Sequence, residues 1–143
     1  LSIDHFYAEI IPRGKKDMRW ELSSTGFLMT LSSYIPDLIK EDFGEFVDRA
    51  LYSSGKTREE IKHWCIHPGG KKILESVCNS LSLVDTELKE SAEVLEEYGN
   101  MSSPTILFIL KNMMQKQERS GELLFTAAFG PGLTIETFVA SIN

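Results

Sequence analysis

A histidine and an asparagine stand out in this sequence, because each lies at a break in regular structure and each can stabilise negative charge on an oxygen. His67 follows the apolar segment 61–66 and precedes Pro68-Gly69-Gly70. Ligands collect at the carboxyl ends of strands in open α/β sheets, and His67 takes that position if 61–66 is a strand. The glycines let the backbone approach a ligand and open a helix whose free N–H groups favour negative charge.

Asn100 offers a neutral amide donor just ahead of a strongly apolar segment. Ser103 followed by Pro104 is a strong signal for the start of a helix. A histidine and an asparagine, each beside a helix N-terminus, are what an enzyme needs to hold a carbonyl oxygen as it gains charge. Together, the two side chains resemble half of an oxyanion hole.

Each residue also has a structural interpretation that the sequence leaves open. His67 alone could be a strand-end residue bonded to backbone, and Asn100 alone could be a C-cap after Gly99. The basic group between Arg13 and Arg19 is typical of a solvated surface, although it could also contact a phosphate-bearing ligand.

A metal site is a further alternative, although no metal is predicted. His63, Cys65 and His67 alternate along the predicted strand and would share one face. Zinc prefers four ligands, and only Cys78 is nearby in sequence to supply the fourth. The more economical interpretation places Cys65 in the core.

The elements around these residues predict an α/β fold. Two short strands are expected at 18–23 and 26–31, and residues 1–16 show little periodicity. A helix is predicted from Pro36 to about Tyr52. A buried strand at 61–66 is followed by a helix that buries its face at 73–81, and a second helix from Asp85 to Gly99 is predicted to bury Leu88, Ala92 and Leu95.

The carboxyl-terminal third combines an apolar helix with two strands. The helix after Pro104 has almost no polar side for two turns, so it is predicted to be buried on nearly every face. A polar stretch at 116–121 precedes strands at 123–129 and 133–142, joined by Gly130-Pro131-Gly132. The order predicts one mixed α/β domain over 1–143 that ends in an antiparallel strand pair.

Composition excludes several classes of protein. The 143 residues carry a net charge of −6 with scattered basic side chains, which argues against nucleic-acid binding. No apolar run approaches the roughly 20 residues of a membrane span. Two cysteines outside any CxxC spacing predict reduced thiols. We expect a soluble, cytoplasmic protein, and the start at Leu1 without methionine indicates a processed or cut chain.

Three segments resemble motifs of one enzyme family, the type III polyketide synthases of the chalcone/stilbene synthase kind. Segment 64–74 (WCIHPGGKKIL) resembles the region around their catalytic histidine, and segment 97–103 (EYGNMSS) the region around their catalytic asparagine. Segment 128–137 (AFGPGLTIET) resembles their terminal glycine-rich loop, with Ala128 in place of its first glycine. From about Ser23 the resemblance is continuous, and Met29 replaces a gatekeeper phenylalanine.

The resemblance implies the C-terminal half of a thiolase-like fold made of two similar halves. The nucleophilic cysteine belongs to the N-terminal half, and neither Cys65 nor Cys78 lies in a similar context. The chain alone should therefore be inactive, with its own N-terminal half and a second copy, in a homodimer, as expected partners. Acyl-CoA and malonyl-CoA would be substrates, and no cofactor is expected.

The resemblance also implies roles for individual residues. His67 would hold the partner cysteine as a thiolate and, with Asn100, stabilise the oxyanion during decarboxylation and condensation. The remaining implied residues shape the polyketide cavity (Met29, Ser102, Gly130 and Pro131) or lie near the mouth of the pantetheine tunnel (Gly69, Gly70 and Lys72). The alternative is a module that holds an acyl or phosphopantetheine group without chemistry.

Overall fold

A four-stranded mixed sheet and a separate hairpin organise the chain. The computed structural model describes residues 1–115 and 119–143. The strands are β1 (Ser2–Ile10), β2 (Met18–Ser23), β3 (Gly26–Leu31), β4 (Ile61–Ile66), β5 (Leu123–Gly130) and β6 (Thr134–Ser141). The α-helices are α1 (Ile35–Ser54), α2 (Lys71–Leu81), α3 (Lys89–Tyr98) and α4 (Pro104–Met114). Short 3-10 turns lie at Pro12–Gly14, Arg58–Glu60 and Asp85–Leu88.

The main sheet has the order β1-β6-β5-β4. β4 and β5 are parallel, and the other two pairs are antiparallel. β2 and β3 form their own two-stranded sheet, in which Trp20 lies opposite Met29. The mixed sheet, the antiparallel terminal pair and the hairpin are all confirmed. The polar stretch predicted at 116–121 is described only from Arg119 onwards.

One face of the sheet packs against α1 and α2. Phe43, Phe46 and Val47 of α1 are fully buried there, and each of the two phenylalanines contributes about 1.5–3 kcal/mol by leaving water. Pro36 lies in the first turn of α1, where its missing N–H costs nothing. Gly55 ends the helix in the left-handed conformation, with φ of 69°.

The opposite face packs against α3 and α4. Cys65 of β4, Leu124 of β5 and Ile109 of α4 are fully buried in this second cluster. The sheet therefore lies between two helical layers, with α2 on one side and α3 and α4 on the other.

Strand β1 is an element that the sequence left unassigned. It pairs along its length with β6, and Phe6 lies opposite Phe138. Its own pattern is weak, because its residues are exposed or only half-buried. The strand forms because it can hydrogen-bond to the edge of β6, which is distant in sequence, and local periodicity does not reveal such a partner.

The buried side predicted for α3 was correct at Leu88, which is buried, but wrong at Ala92. Ala92 is exposed, whereas Ser91 and Val94 are fully buried and Leu95 is half-buried. The segment from Asp85 to Leu88 is a 3-10 turn and the α-helix begins only at Lys89. A 3-10 turn has three residues per turn instead of 3.6, so the buried side rotates relative to a continuous helix.

The prediction that α4 is buried on nearly every face was also wrong for this chain. Leu107 is 63% exposed, and Phe108 and Met114 are partly exposed. Phe6 and Ile10 of β1 lie on the side of the sheet that carries α4, and they are also exposed. We call these five residues the open apolar face.

Membrane insertion by a helix is not a feature of the described chain. Within residues 1–115 and 119–143, no helix combines the length and the apolar character needed to cross a bilayer.

The open apolar face leads to a prediction about association. We expect the 143-residue chain to self-associate at high concentration, because apolar side chains of this size rarely stay exposed together. Light scattering should show a mass above that of the monomer, and the double substitution Phe6→Lys and Leu107→Lys should lower it.

The matched control for this experiment is Tyr52→Lys. Tyr52 is also highly exposed, but it lies on α1, on the other side of the sheet. Its substitution should leave the mass unchanged. A strictly monomeric wild-type chain at high concentration would contradict the prediction.

A candidate active site at the carboxyl end of β4

A cleft of about 900 Å³ opens where β4 ends. Its walls come from the loop after β4, the start of α2, the loop before α4, the β2–β3 hairpin and the β5–β6 turn. All nine residues predicted from the sequence to form a site line this cleft: Met29, His67, Gly69, Gly70, Lys72, Asn100, Ser102, Gly130 and Pro131.

His67 extends the parallel strand pair by one residue. Its backbone N–H donates a 2.8 Å hydrogen bond to the carbonyl oxygen of Ala127 in β5. No hydrogen bond to the imidazole ring is found among the residues that the structure describes, so the ring is available to a ligand. Burial lowers the pKa of His67, because desolvation penalises the charged imidazolium.

The turn after His67 requires glycine at position 69. Gly69 has φ of 59°, a backbone conformation that residues other than glycine adopt only at a cost in free energy. A Cβ atom there would also lie only 3.1 Å from Cγ1 of Ile73. The turn brings the first free N–H groups of α2 to the cleft, where they favour negative charge.

Asn100 is held by two hydrogen bonds that fix the orientation of its carboxamide. Its Nδ2 donates to the carbonyl oxygen of Gly69 at 2.9 Å, and its Oδ1 accepts from the N–H of Ser102 at 2.8 Å. A carbonyl can only accept and a backbone N–H can only donate, so the amide cannot be reversed. The second Nδ2 hydrogen has no partner in the described part of the chain.

The C-cap interpretation of Asn100 does not hold. Gly99 itself ends α3, with φ of 72° and its N–H bonded to the carbonyl of Leu95 at 3.0 Å. The Asn100 carboxamide bonds to neither residue. Instead, it joins its own loop to the loop that carries His67.

Ser91 is a residue that the sequence analysis did not select. Its hydroxyl oxygen accepts the N–H of Ile66 at 3.2 Å, in a fully buried position on α3. Two hydrogen bonds between the β4 and α3 sides of the site therefore bracket His67, one at Ile66 and one at Gly69. A serine within an amphipathic helix gives no local signal of this role.

The cleft has an apolar wall opposite these polar groups. Met18, Trp20 and Leu31 of the hairpin line the cleft together with the predicted Met29. Side chains alternate between the two faces of each strand, and Trp20 pairs with Met29 across the hairpin, so these four side chains lie on the same hairpin face. The strand register could therefore have identified the wall.

The arrangement does not form a metal site. In residues 1–115 and 119–143, no group of three or more potential ligands is close enough to hold a metal ion. The His63 ring is paired instead with the carboxylate of Glu122 at 2.5 Å. Cys65 is fully buried in the second core cluster.

Neither cysteine lines the described cleft. Burial raises the pKa of Cys65, with a smaller contribution from the charge of Glu90. Burial, followed by the charges of Asp85 and Glu87, also raises the pKa of Cys78. Both thiols are poor nucleophiles, and the described cleft offers hydrogen-bond donors for an oxyanion but no thiol.

The chain belongs to the chalcone and stilbene synthase family. The family model for the chalcone and stilbene synthases, C-terminal domain, matches residues 3–142. The chain is 34% identical over 135 residues to a 3,5-dihydroxyphenylacetyl-CoA synthase of Streptomyces toyocaensis. The match covers 92% of this chain and 35% of that protein.

Solved structures show the same fold, that of the C-terminal half of a thiolase-like type III polyketide synthase. PKS-I of the brown alga Ectocarpus siliculosus matches with a TM-score of 0.86 and 28% identity, covering 97% of this chain and 38% of that one. The 1,3,6,8-tetrahydroxynaphthalene synthase of Streptomyces coelicolor matches with a TM-score of 0.90 and 22% identity, covering 99% and 40%. This chain therefore spans well under half of the length of these relatives.

The buried position of His67 predicts a pH effect on stability. The unfolded histidine titrates near pH 6.5, whereas the folded ring titrates lower, so the unfolded state binds more protons between these values. The free energy of unfolding should therefore fall as the pH drops below about 6.5 and level off below the folded pKa.

An NMR titration of the His67 ring protons measures the folded pKa directly, and urea unfolding at pH 7.5 and pH 5 measures the stability. His67→Gln should remove this part of the pH dependence, because glutamine does not titrate. A ring that titrates at or above its ordinary pKa would disprove the assignment.

Proposed function

We propose that this chain supplies the oxyanion-stabilising half of an enzyme that condenses a starter acyl-CoA with malonyl-CoA. The observation that carries the proposal is the shared cleft of Asn100 and His67. Within residues 1–115 and 119–143, one N–H of the Asn100 carboxamide and the His67 ring have no hydrogen-bond partner, and both side chains line the cleft. The relative from Streptomyces toyocaensis is named for a CoA thioester, which supports thioesters as the ligands.

The proposed reaction has two steps. In the first, malonyl thioester loses CO₂, and the electron pair of the broken carbon–carbon bond forms an enolate on the thioester. Asn100 and the neutral ring of His67 each donate a hydrogen bond to the enolate oxygen, which develops the charge. In the second step, the enolate carbon attacks the starter acyl group carried on a cysteine, and the cysteine thiolate leaves.

The nucleophilic cysteine would come from an N-terminal half, since the described cleft contains no thiol. His67 would then also stabilise the thiolate. An adjacent thiolate favours imidazolium, and this interaction would oppose the desolvation that lowers the pKa of His67 in the chain alone. The chain alone would be inactive, and the whole enzyme would be a cytoplasmic homodimer.

The other predicted residues have proposed roles that agree with their places in the cleft. Met29, Ser102, Gly130 and Pro131 would shape the space for the growing polyketide. Gly69, Gly70 and Lys72 lie at the exposed start of α2, where free N–H groups and a positive side chain would receive the pantetheine arm and its phosphates.

A second candidate is a module that binds an acyl or phosphopantetheine group without chemistry. The lack of a thiol in the described cleft favours it. The bound carboxamide of Asn100 favours catalysis instead, because a site that only binds acyl chains does not need an oriented donor beside a histidine.

The first test compares malonyl-CoA consumption by this 143-residue chain with consumption by the full reading frame that encodes it. We expect turnover only with the longer protein. In that protein, Asn100→Ala should lower kcat by about a hundredfold to a thousandfold, the usual cost of one lost oxyanion donor. His67→Ala should abolish turnover.

The matched control for Asn100 is Asn79→Ala. Asn79 is exposed on α2 and does not line the cleft, so kcat should not change. If the full reading frame binds acyl-CoA without consuming malonyl-CoA, the binding module replaces the enzyme as the function.

The role of Lys72 makes a separate prediction. Lys72→Ala should raise KM for the CoA thioester by about twofold to fivefold with kcat unchanged, since an exposed charge pair contributes up to about 1 kcal/mol. Lys89→Ala, an exposed lysine at the start of α3, is the control. An unchanged KM, or a lower kcat, would show that Lys72 does not bind the CoA group.

A further inference from the structure

Thr105 is a fully buried threonine in the first turn of α4. Its hydroxyl oxygen accepts the backbone N–H of Met101 at 2.8 Å, and its own N–H donates to the carbonyl of Ser102 at 3.1 Å. Thr105 therefore makes two hydrogen bonds to the loop that carries Asn100. It does not itself line the cleft.

This loop has an unusual conformation that needs external support. Ser102 has φ of 63°, in the left-handed region that non-glycine residues occupy rarely. Such a conformation persists only where surrounding contacts hold it. Ser102 also supplies the N–H that orients the Asn100 carboxamide, so a change in the backbone at Ser102 would release Oδ1 of Asn100.

Helix α4 provides the fixed base for this support. Ile109 and Met113 pack into the second core cluster with essentially no exposure, so the helix cannot shift without disturbing the core. The β-branched side chain of Thr105 has few rotamers in a helix, and its burial restricts them further. The hydroxyl oxygen therefore stands at a defined point beneath the loop.

We propose that Thr105 is a positioning residue for Asn100, and this inference rests on the proposed function. The hydroxyl holds Met101, the adjoining backbone keeps Ser102 in its left-handed conformation, and Ser102 then holds Oδ1 of Asn100. The free Nδ2 hydrogen remains directed into the cleft. Thr105 acts on the reaction through Asn100 and without contact with the substrate.

The test substitutes Thr105→Val, which keeps the shape of the side chain and removes the oxygen that accepts from Met101. In the full reading frame, kcat should fall by about tenfold to a hundredfold, less than for Asn100→Ala, with KM within about twofold of wild type. Thr105→Ser keeps the hydroxyl and should restore most of kcat.

The matched control is Thr137→Val. Thr137 is also a buried threonine whose hydroxyl bonds to backbone, at the carbonyl of Tyr7, and it lies away from the cleft. Its substitution removes a similar hydrogen bond and should lower stability without lowering kcat. An equal loss of kcat in both valine variants would overturn the inference.

A second readout does not depend on activity. In the NMR spectrum of the 143-residue chain, the Nδ2 proton of Asn100 that bonds to Gly69 should be shifted from the value of a free asparagine and should exchange slowly. Thr105→Val should move the shift and the exchange rate of this proton toward those of a free asparagine, and Thr105→Ser should not. An unchanged Asn100 amide in Thr105→Val overturns the inference, whatever happens to kcat.

The two proposals can fail separately. If the full reading frame does not consume malonyl-CoA, the proposed function fails, and the Asn100 amide signals still decide whether Thr105 orients that side chain. If wild type is active but Thr105→Val keeps both kcat and the Asn100 signals, only the positioning role is lost.

Discussion

The parallel pairing of β4 with β5 is the constraint on which the rest of the structure depends. Parallel neighbours cannot be joined by a tight turn, so the chain between them must cross over the sheet. That crossover contains α2, α3 and α4, which cover both of its faces. The pairing also continues to His67, whose N–H bonds to Ala127, and so it fixes where the cleft opens.

The site is assembled from loops between helices and strands, and the crossover brings these loops together. The His67 turn and the Asn100 loop are distant in sequence, yet Asn100 bonds to Gly69 and Ser91 bonds to Ile66. Burial lowers the pKa of His67 and so disfavours the charged ring, and the Asn100 carboxamide does not titrate. Neutral donors in a cleft with an apolar wall stabilise an oxygen that becomes negative, which agrees with the condensation chemistry we propose.

In the open apolar face, the apolar composition of α4 does not match its exposure to solvent. Its sequence is typical of a helix buried on all sides, yet Leu107 is mostly exposed. Exposed apolar groups of this size commonly mark surfaces that another protein segment covers. The N-terminal half that we propose would cover this face and bring a cysteine to the cleft.

The sequence by itself determined the strand β4, the hairpin, the starts of α2 and α4 and nine of the residues that line the cleft, because these depend on local periodicity, turn residues and short motifs. Only the tertiary structure decided that 2–10 is a strand, that Ala92 faces solvent, and that Ser91 and Thr105 support the site. Strand β1 needs β6 as its partner, and a buried hydroxyl shows its role only when its acceptor or donor is in place. The contacts of β1 and Ser91 join distant segments, and the Thr105 hydroxyl finds its donor at Met101 only once the loop before α4 is in place, so local pattern carries no record of them.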